Sequence, residues 1–368
     1  MNTASPGVKF PIKYPLSSPT EINYRVVKRF SQHLDPPSID DVKTLDKEDS
    51  ILLIRLSAIG DAVRSNGFEG TIGIAVQSPI DQILNLWDEI DRVHTINREH
   101  LPLHPIKFIR HLKPVRDVQY DWVIDAHGLI KSGLVSRFSG GNLRIGFDSR
   151  NSKEYNHLFQ DATIDLLPEG LPRILKYLQL VRSFTPNFQF ERKNLIPTSP
   201  AHPSHRPELT SLKRPAPILV QPRTSHERYG EQKEWGVSNY VTLINRLRDK
   251  RDLPGILITW GPGERETADE IASSFDEGVQ LAPKTNLAEL TYLIEHARLM
   301  ISPDTATAHL ADILGTPLVA IYGGSDYYVN GPMLTDYRLI TPRTNETTTR
   351  KIPVTRVLPA CLDLLENV

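Results

Sequence analysis

The stretch Ile301–Gly324, ISPDTATAHLADILGTPLVAIYGG, runs an apolar strand, a small polar turn, a helix and a second apolar strand together with almost no slack. Strands joined through a helix lie parallel, and a parallel sheet must be covered on both faces, so this unit commits the chain to an α/β architecture. At its turn, Asp304, Thr305 and Thr307 are expected to supply N-capping oxygens to the helix AHLADILG, which Gly315 closes before Pro317 opens the next strand. Backbone N–H groups at such a helix start, reinforced by the helix dipole, favour a phosphate. For one such turn taken alone, a capped helix with a satisfied buried histidine, His309, is the bland alternative.

The same alternation recurs along the chain. ILLIRLS (51–57), TIGIAVQS (71–78), RVHTIN (92–97), DWVIDAH (121–127) and LRIGFD (143–148) read as strands, separated by helical patterns such as SPIDQILNLWDEI and GLIKSGLVSRFS. The connection Ala58–Thr71, with Gly67 and Gly70, is short for a helical crossover and is expected to hold a stunted helix. Residues 197–217 are rich in proline and lack either periodicity, which suits a linker. The alternation then restarts at APILVQP and runs through GILITWG, VQLAP and LMIS. The expected organisation is therefore an extension, partly disordered, over 1–49; a first Rossmann-like domain over 50–196; the linker; a second such domain over 218–350; and a C-terminal helix within 351–368, with room to cross back to the first domain.

A net charge of −1 gives no global electrostatic case for nucleic acid. The single cysteine, Cys361, excludes an intrachain disulfide framework, and no run of about 18 apolar residues offers a membrane span. The N-terminus is broken by prolines and has no apolar signal core, so retention in the cytoplasm is expected, with a peripheral contact at the inner face of the membrane left open.

Open α/β sheets bind ligands at the carboxyl ends of their strands, and four motifs fall there. Ser57-Ala58-Ile59-Gly60-Asp61 ends the first strand, with Asp61 either a general base or a helix cap. Asp125-Ala126-His127-Gly128-Leu129-Ile130-Lys131 sets an acid, a histidine and a lysine around a second turn. Gln221-Pro222-Arg223-Thr224-Ser225 leads into a polar loop whose Arg223, Arg228, Lys233 and Trp235 could grip a diphosphate and shield it from water. Gly261-Pro262-Gly263-Glu264 could set Glu264 against a ribose hydroxyl or merely begin a helix. No His/Cys/Asp cluster has metal-ligand spacing.

SAIGD, DAHGLIKS, the K-x-W of Lys233 to Trp235, GPGE and DTATAHLA with YGGSD downstream together resemble the heptosyltransferase-type glycosyltransferases that build the lipopolysaccharide inner core from ADP-heptose. The resemblance covers Ile51 to about Asp326. It implies a GT-B fold: two Rossmann-like α/β domains whose parallel sheets face a central cleft. It also implies inverting transfer from an ADP-sugar to a glycan or glycolipid acceptor, with no metal and no cofactor beyond the donor substrate. On this resemblance Asp61 is the base, and Lys233 is the catalytic cation facing the donor diphosphate together with Thr224, Asp304, Thr305 and Ala306. His309 lies one turn into the helix, Glu264 meets the ribose or adenosine, and Lys131 and Arg150 lie on the acceptor side. A degenerate nucleotide- or glycan-binding member and a GT-B-type sugar-nucleotide epimerase are the alternatives.

Overall fold

The computed structural model describes residues 45–54, 68–96, 105–164, 173–184, 206–212, 216–224, 233–250, 254–323, 327–343 and 348–366. The expected extension up to residue 44, the connection 55–67 with Asp61, and much of the Pro-rich stretch lie outside the described residues.

In chain order the first half contributes β1 (Ile51–Ile54), β2 (Ile72–Val76), β3 (Arg92–Thr95), α1 (Pro105–His111), α2 (Lys113–Arg116), β4 (Trp122–Asp125), α3 (Ile130–Phe138), β5 (Leu143–Phe147), β6 (Ala162–Ile164) and α4 (Arg173–Phe184). After α5 (Pro207–Ser211) the second half contributes β7 (Ile218–Val220), α6 (Val237–Arg248), β8 (Ile256–Ile258), α7 (Arg265–Ala272), β9 (Val279–Leu281), α8 (Leu287–Glu295), β10 (Leu299–Pro303), α9 (Ala306–Leu314), β11 (Leu318–Ile321), α10 (Tyr327–Asn330), β12 (Tyr337–Ile340) and α11 (Val354–Glu366).

Two separate six-stranded sheets result, ordered β3-β2-β1-β4-β5-β6 and β12-β11-β10-β7-β8-β9, with parallel pairing throughout. Each half thus repeats one order, and in each the winding direction reverses between its first and fourth strands: β1 beside β4, and β7 beside β10. The central strands β1, β2, β4, β7, β8, β10 and β11 are buried along their whole length, which is why they read as largely apolar runs such as ILLI, ILV and LVAI. The edge strand β3 is largely exposed. Helix starts and stops follow local chemistry: Asn286 and Glu289 form a reciprocal capping box on α8, and Gly315 ends α9 at φ 76°.

Two expectations are corrected. The Pro-rich stretch is not wholly without helix: Pro207 fills the first position of α5, Leu209 is fully buried, and Arg206 reaches Lys284 O at 2.7 Å and Glu289 Oε2 at 3.1 Å. The turn therefore belongs to the second half's core. The C-terminal helix α11 does not cross back; Val357, Cys361 and Leu364 bury against α6 and the second sheet, and Leu365 O accepts from Arg298 at 2.9 Å.

The halves meet through two apolar contacts. A 3-10 helix, Ile80–Leu86, sets Ile83, Leu86 and Trp87 into a cluster with Tyr292 and Leu293 of α8, and Gln82 Oε1 accepts Leu287 N–H at 3.0 Å. In return, Met333 and Leu334 of the segment before β12 pack with the first sheet's cluster of Leu53, Ile74 and Phe184. That segment hangs on one buried side chain: Asp312 of α9 accepts N–H bonds from Met333, Leu334 and Thr335 at 2.7–3.0 Å. Asp312→Ala strips three buried donors of their acceptor, so it should lower the unfolding free energy by about 2–4 kcal/mol, measured by urea denaturation. An unchanged midpoint would show that the segment is held otherwise.

Candidate functional site

The carboxyl ends of β7 and β10 are the reversal point of the second sheet, where neighbouring connections diverge to opposite faces and leave a crevice. β10 ends at Pro303, and α9 starts at Ala306 behind Thr305, whose extended backbone (φ −142°, ψ 175°) makes it the N-cap. The expected capping is corrected here, because the Thr305 side chain makes no capping bond. Its hydroxyl meets Thr307 at 2.6 Å, and Ser302 Oγ meets Thr307 at 2.9 Å, so the hydroxyls satisfy one another and the N-cap side chain does not engage the helix-start amides.

The Asp304 carboxylate lies between Lys233 and the first turn of α9. It accepts Lys233 Nζ at 2.7 Å across the crevice, with both side chains largely buried, and His309 Nε2 stands 3.7 Å from its other oxygen. A cation is thereby held beside helix-start N–H groups, the arrangement an oligophosphate requires. Thr224, beyond the end of β7, is buried with an Oγ1 that has no hydrogen-bond partner among the described residues.

Glu264 begins α7 as the N-cap and is itself buried; its Oε2 folds back to accept Gly261 N–H and Gln221 Nε2, both at 2.7 Å. Gln221 passes the network on to Thr259 at 2.9 Å and to Arg223 O at 3.1 Å. Glu264 thus fixes the shape of two strand-end turns. Arg223 is paired with Glu234 at 2.9 Å. Trp235, expected as a water shield, is instead a core residue: fully buried, edge-on to Tyr240, with Nε1 donating to Ile352 O at 2.8 Å. The local K-x-W pattern does not reveal that the indole points inward.

At the first sheet's reversal point, β4 ends at Asp125, in register with Ile54 of β1. Its carboxylate is fully buried; Oδ1 accepts the N–H groups of His127 (2.9 Å) and Gly128 (3.2 Å), and Oδ2 accepts Asn156 Nδ2 (2.6 Å) and Gln160 Nε2 (3.3 Å). Burial pushes this carboxyl upward, and hydrogen bonds from Asn156, Ser132, Gly128 and His127 oppose that shift. Gly128 takes φ +70°, and Asn156 also donates to Leu129 O at 2.8 Å, so the knot sets both the turn and the start of α3. Lys131 is exposed on α3, while Arg150 bonds to Asp148 at 2.9 Å on a neighbouring turn. The two turns are joined by Lys153 N–H to Gly128 O at 2.7 Å.

The structure therefore brings Lys233, Asp304, Thr305, Ala306 and His309 together and places Lys131 and Arg150 on adjoining turns of the other half. Asp61 and Arg228 lie outside the described residues. Gln221 opens one of the strand-end motifs but has no role assigned there, and the sequence does not single out Ser302, Asn156 or Tyr322. Tyr322 follows β11 with a buried hydroxyl lacking a partner among the described residues, and burial followed by the fields of Asp304 and Asp312 pushes its phenol well above the ordinary range. The partners of Asn156 on Asp125 and of Gln221 on Glu264 lie 31 and 43 residues away, beyond the reach of a local pattern.

Two six-stranded parallel sheets, each with a reversal-point crevice, and a buried lysine beside the helix start in the second make this a two-domain α/β protein of GT-B architecture. The sequence profile of glycosyltransferase family 9 (heptosyltransferase) matches residues 108–355, and the chain belongs to that family. It is 29% identical over 309 residues to lipopolysaccharide heptosyltransferase 1 of Campylobacter coli, covering 76% of this chain and 85% of that protein. To the Salmonella typhimurium heptosyltransferase 1 it is 26% identical over 303 residues, covering 75% and 89%. Among solved structures, E. coli heptosyltransferase WaaC with ADP shares the fold at a TM-score of 0.68 and 18% identity, covering 85% of this chain and 99% of that one. A family 9 glycosyltransferase from Veillonella parvula does so at 0.71 and 14%, covering 89% and 100%.

Asn156→Ala would deprive the buried Asp125 carboxylate of its 2.6 Å donor. A loss of about 1–3 kcal/mol in urea unfolding is expected, because a buried carboxyl loses a hydrogen-bond donor. A loss below about 1 kcal/mol would mean the carboxylate is satisfied without Asn156.

Proposed function

We propose that this enzyme transfers heptose, or a closely related sugar, from an ADP-sugar to a lipopolysaccharide-core or similar glycan acceptor, with inversion at the anomeric carbon. The observation that carries the reading is the Lys233–Asp304 contact at 2.7 Å beside the start of α9, whose N-cap side chain makes no capping bond. The ADP found with the structurally similar WaaC favours adenine as the base, and the names of the curated relatives favour heptose and a lipopolysaccharide core.

In this reading the donor diphosphate seats on the N–H groups of Thr305, Ala306 and Thr307, displacing the Asp304 carboxylate from Lys233. Thr224 donates its unpartnered hydroxyl, His309 stands one turn in, and Glu264 shapes the turn against the ribose. The acceptor is held on the side of Lys131 and Arg150. Its hydroxyl oxygen attacks the anomeric carbon as the bond to the phosphate oxygen breaks; ADP leaves with the electron pair, and the proton passes to Asp61. Negative charge grows on the leaving group, so the preorganised cation and amides stabilise the transition state more than the ground state.

Lys233→Ala and Thr305→Ala should each weaken ADP binding in calorimetry, the lysine variant by about tenfold or more. If both bind ADP like the unsubstituted chain, the phosphate site lies elsewhere. Asp61→Asn should keep ADP binding yet lower turnover of ADP-heptose by about 10²- to 10⁴-fold, the range for a lost general base. Equal turnover in the variant would remove Asp61 from that role while leaving the donor site standing.

A further inference from the structure

The turn on top of the Asp125 knot displays apolar surface outward. Tyr155 and Leu158 are 75% and 71% exposed, and Ile130 of α3 is exposed beside them. Tyr155 caps the 3-10 helix Asn156–Phe159, and Leu158 N–H donates to Tyr155 O at 3.1 Å, so both exposed side chains rise from one turn. Ile130 adjoins that turn, because its N–H donates to Glu154 Oε2 at 3.2 Å.

This display is built into the fold. Glu154 and Tyr155 both take positive φ, 53° and 59°, a strained conformation for residues with a Cβ, and two in succession need support from their surroundings. The support lies directly beneath: Lys153 N–H to Gly128 O at 2.7 Å, and the buried Asn156 on Asp125 at 2.6 Å. Lys131, Lys153 and Glu154 are exposed on the same rim, with Glu154 accepting the Ile130 N–H, while Asp148 accepts from Asn151 and Arg150. No helix among the described residues is long and apolar enough to cross a membrane.

We propose that Tyr155, Leu158 and Ile130, flanked by Lys131 and Lys153, form a docking knob for an anionic lipid surface. An aromatic ring with a polar tip and an aliphatic neighbour suit the depth of lipid headgroups, and flanking ammonium groups suit their phosphates. The knob sits at the carboxyl-end rim of the first sheet, on the turns that carry Lys131 and Arg150, so docking there would bring that rim to the lipid. The inference goes beyond the transfer reading and does not depend on it, since lipid binding is measured without donor, acceptor or turnover.

The test is sedimentation of the full chain with vesicles of equal parts phosphatidylglycerol and phosphatidylcholine, against phosphatidylcholine alone. The unsubstituted chain should partition to the anionic vesicles and be released by salt. Tyr155→Asn with Leu158→Ser should lower the partition constant by about tenfold or more at an unchanged melting temperature, asparagine tolerating the left-handed backbone. Lys131→Gln with Lys153→Gln should weaken binding and flatten its salt dependence. A chain that stays in solution with both vesicles, or an apolar double variant that partitions like the unsubstituted chain, overturns the proposal. So does a double variant whose only change is dissociation of a dimer on size exclusion, which would assign the face to a second copy.

Discussion

Reversal of the winding direction beside the first strand of each sheet is the constraint on which the site depends. A parallel sheet buries both faces, so its helices must be shared between them, and the connections part where the chain changes side. That parting falls between β1 and β4 and again between β7 and β10. Asp125 ends β4, and Thr224 and Asp304 follow β7 and β10. Side chains widely spaced in sequence become neighbours because strand order puts them there.

Buried carboxylates hold the geometry around those crevices. Asp125 gathers two backbone donors and two amide side chains, Glu264 closes the Gly261 turn, and Asp312 suspends the segment before β12. Each is almost wholly removed from water, a costly state that is tolerable only when the donors are supplied with good geometry. The benefit is rigidity at places where loops would otherwise wander. Asp312 has a second consequence: it lies on the helix whose start would seat the donor, and the segment it holds packs into the other half's core. Donor helix and inter-half contact therefore share one rigid element.

Polarity at the donor crevice is arranged by mutual satisfaction. Ser302, Thr305 and Thr307 bond to one another, and Lys233 bonds to Asp304, so the site is internally paired without a capping bond from Thr305 to the amides of α9. A phosphate entering there would exchange one carboxylate for another anion at Lys233 rather than meet an unpaired charge, which keeps the reorganisation small.

Local order was written in the chain. Period-two and period-3.6 apolar patterns marked most of the strands and long helices, Gly315 marked the end of α9, and the strand-end motifs marked where chemistry belongs. The short elements escaped: β6, β12 and α5 carry too few residues to show a period, and α5 hid inside a Pro-rich run. The site was legible as a set of turns but not as a set of bonds. Thr305 and Asp304 read as caps, yet one is tied to neighbouring hydroxyls and the other to Lys233; Trp235 read as a shield, yet it lies in the core. By itself the sequence determined the α/β alternation, the helix ends and the candidate turns, because these depend on backbone preferences and patterns within a few residues. Only the tertiary structure decided strand order, the Lys233–Asp304 and Asp125–Asn156 pairs and the direction of each side chain, because those depend on groups that meet only after the sheets have formed.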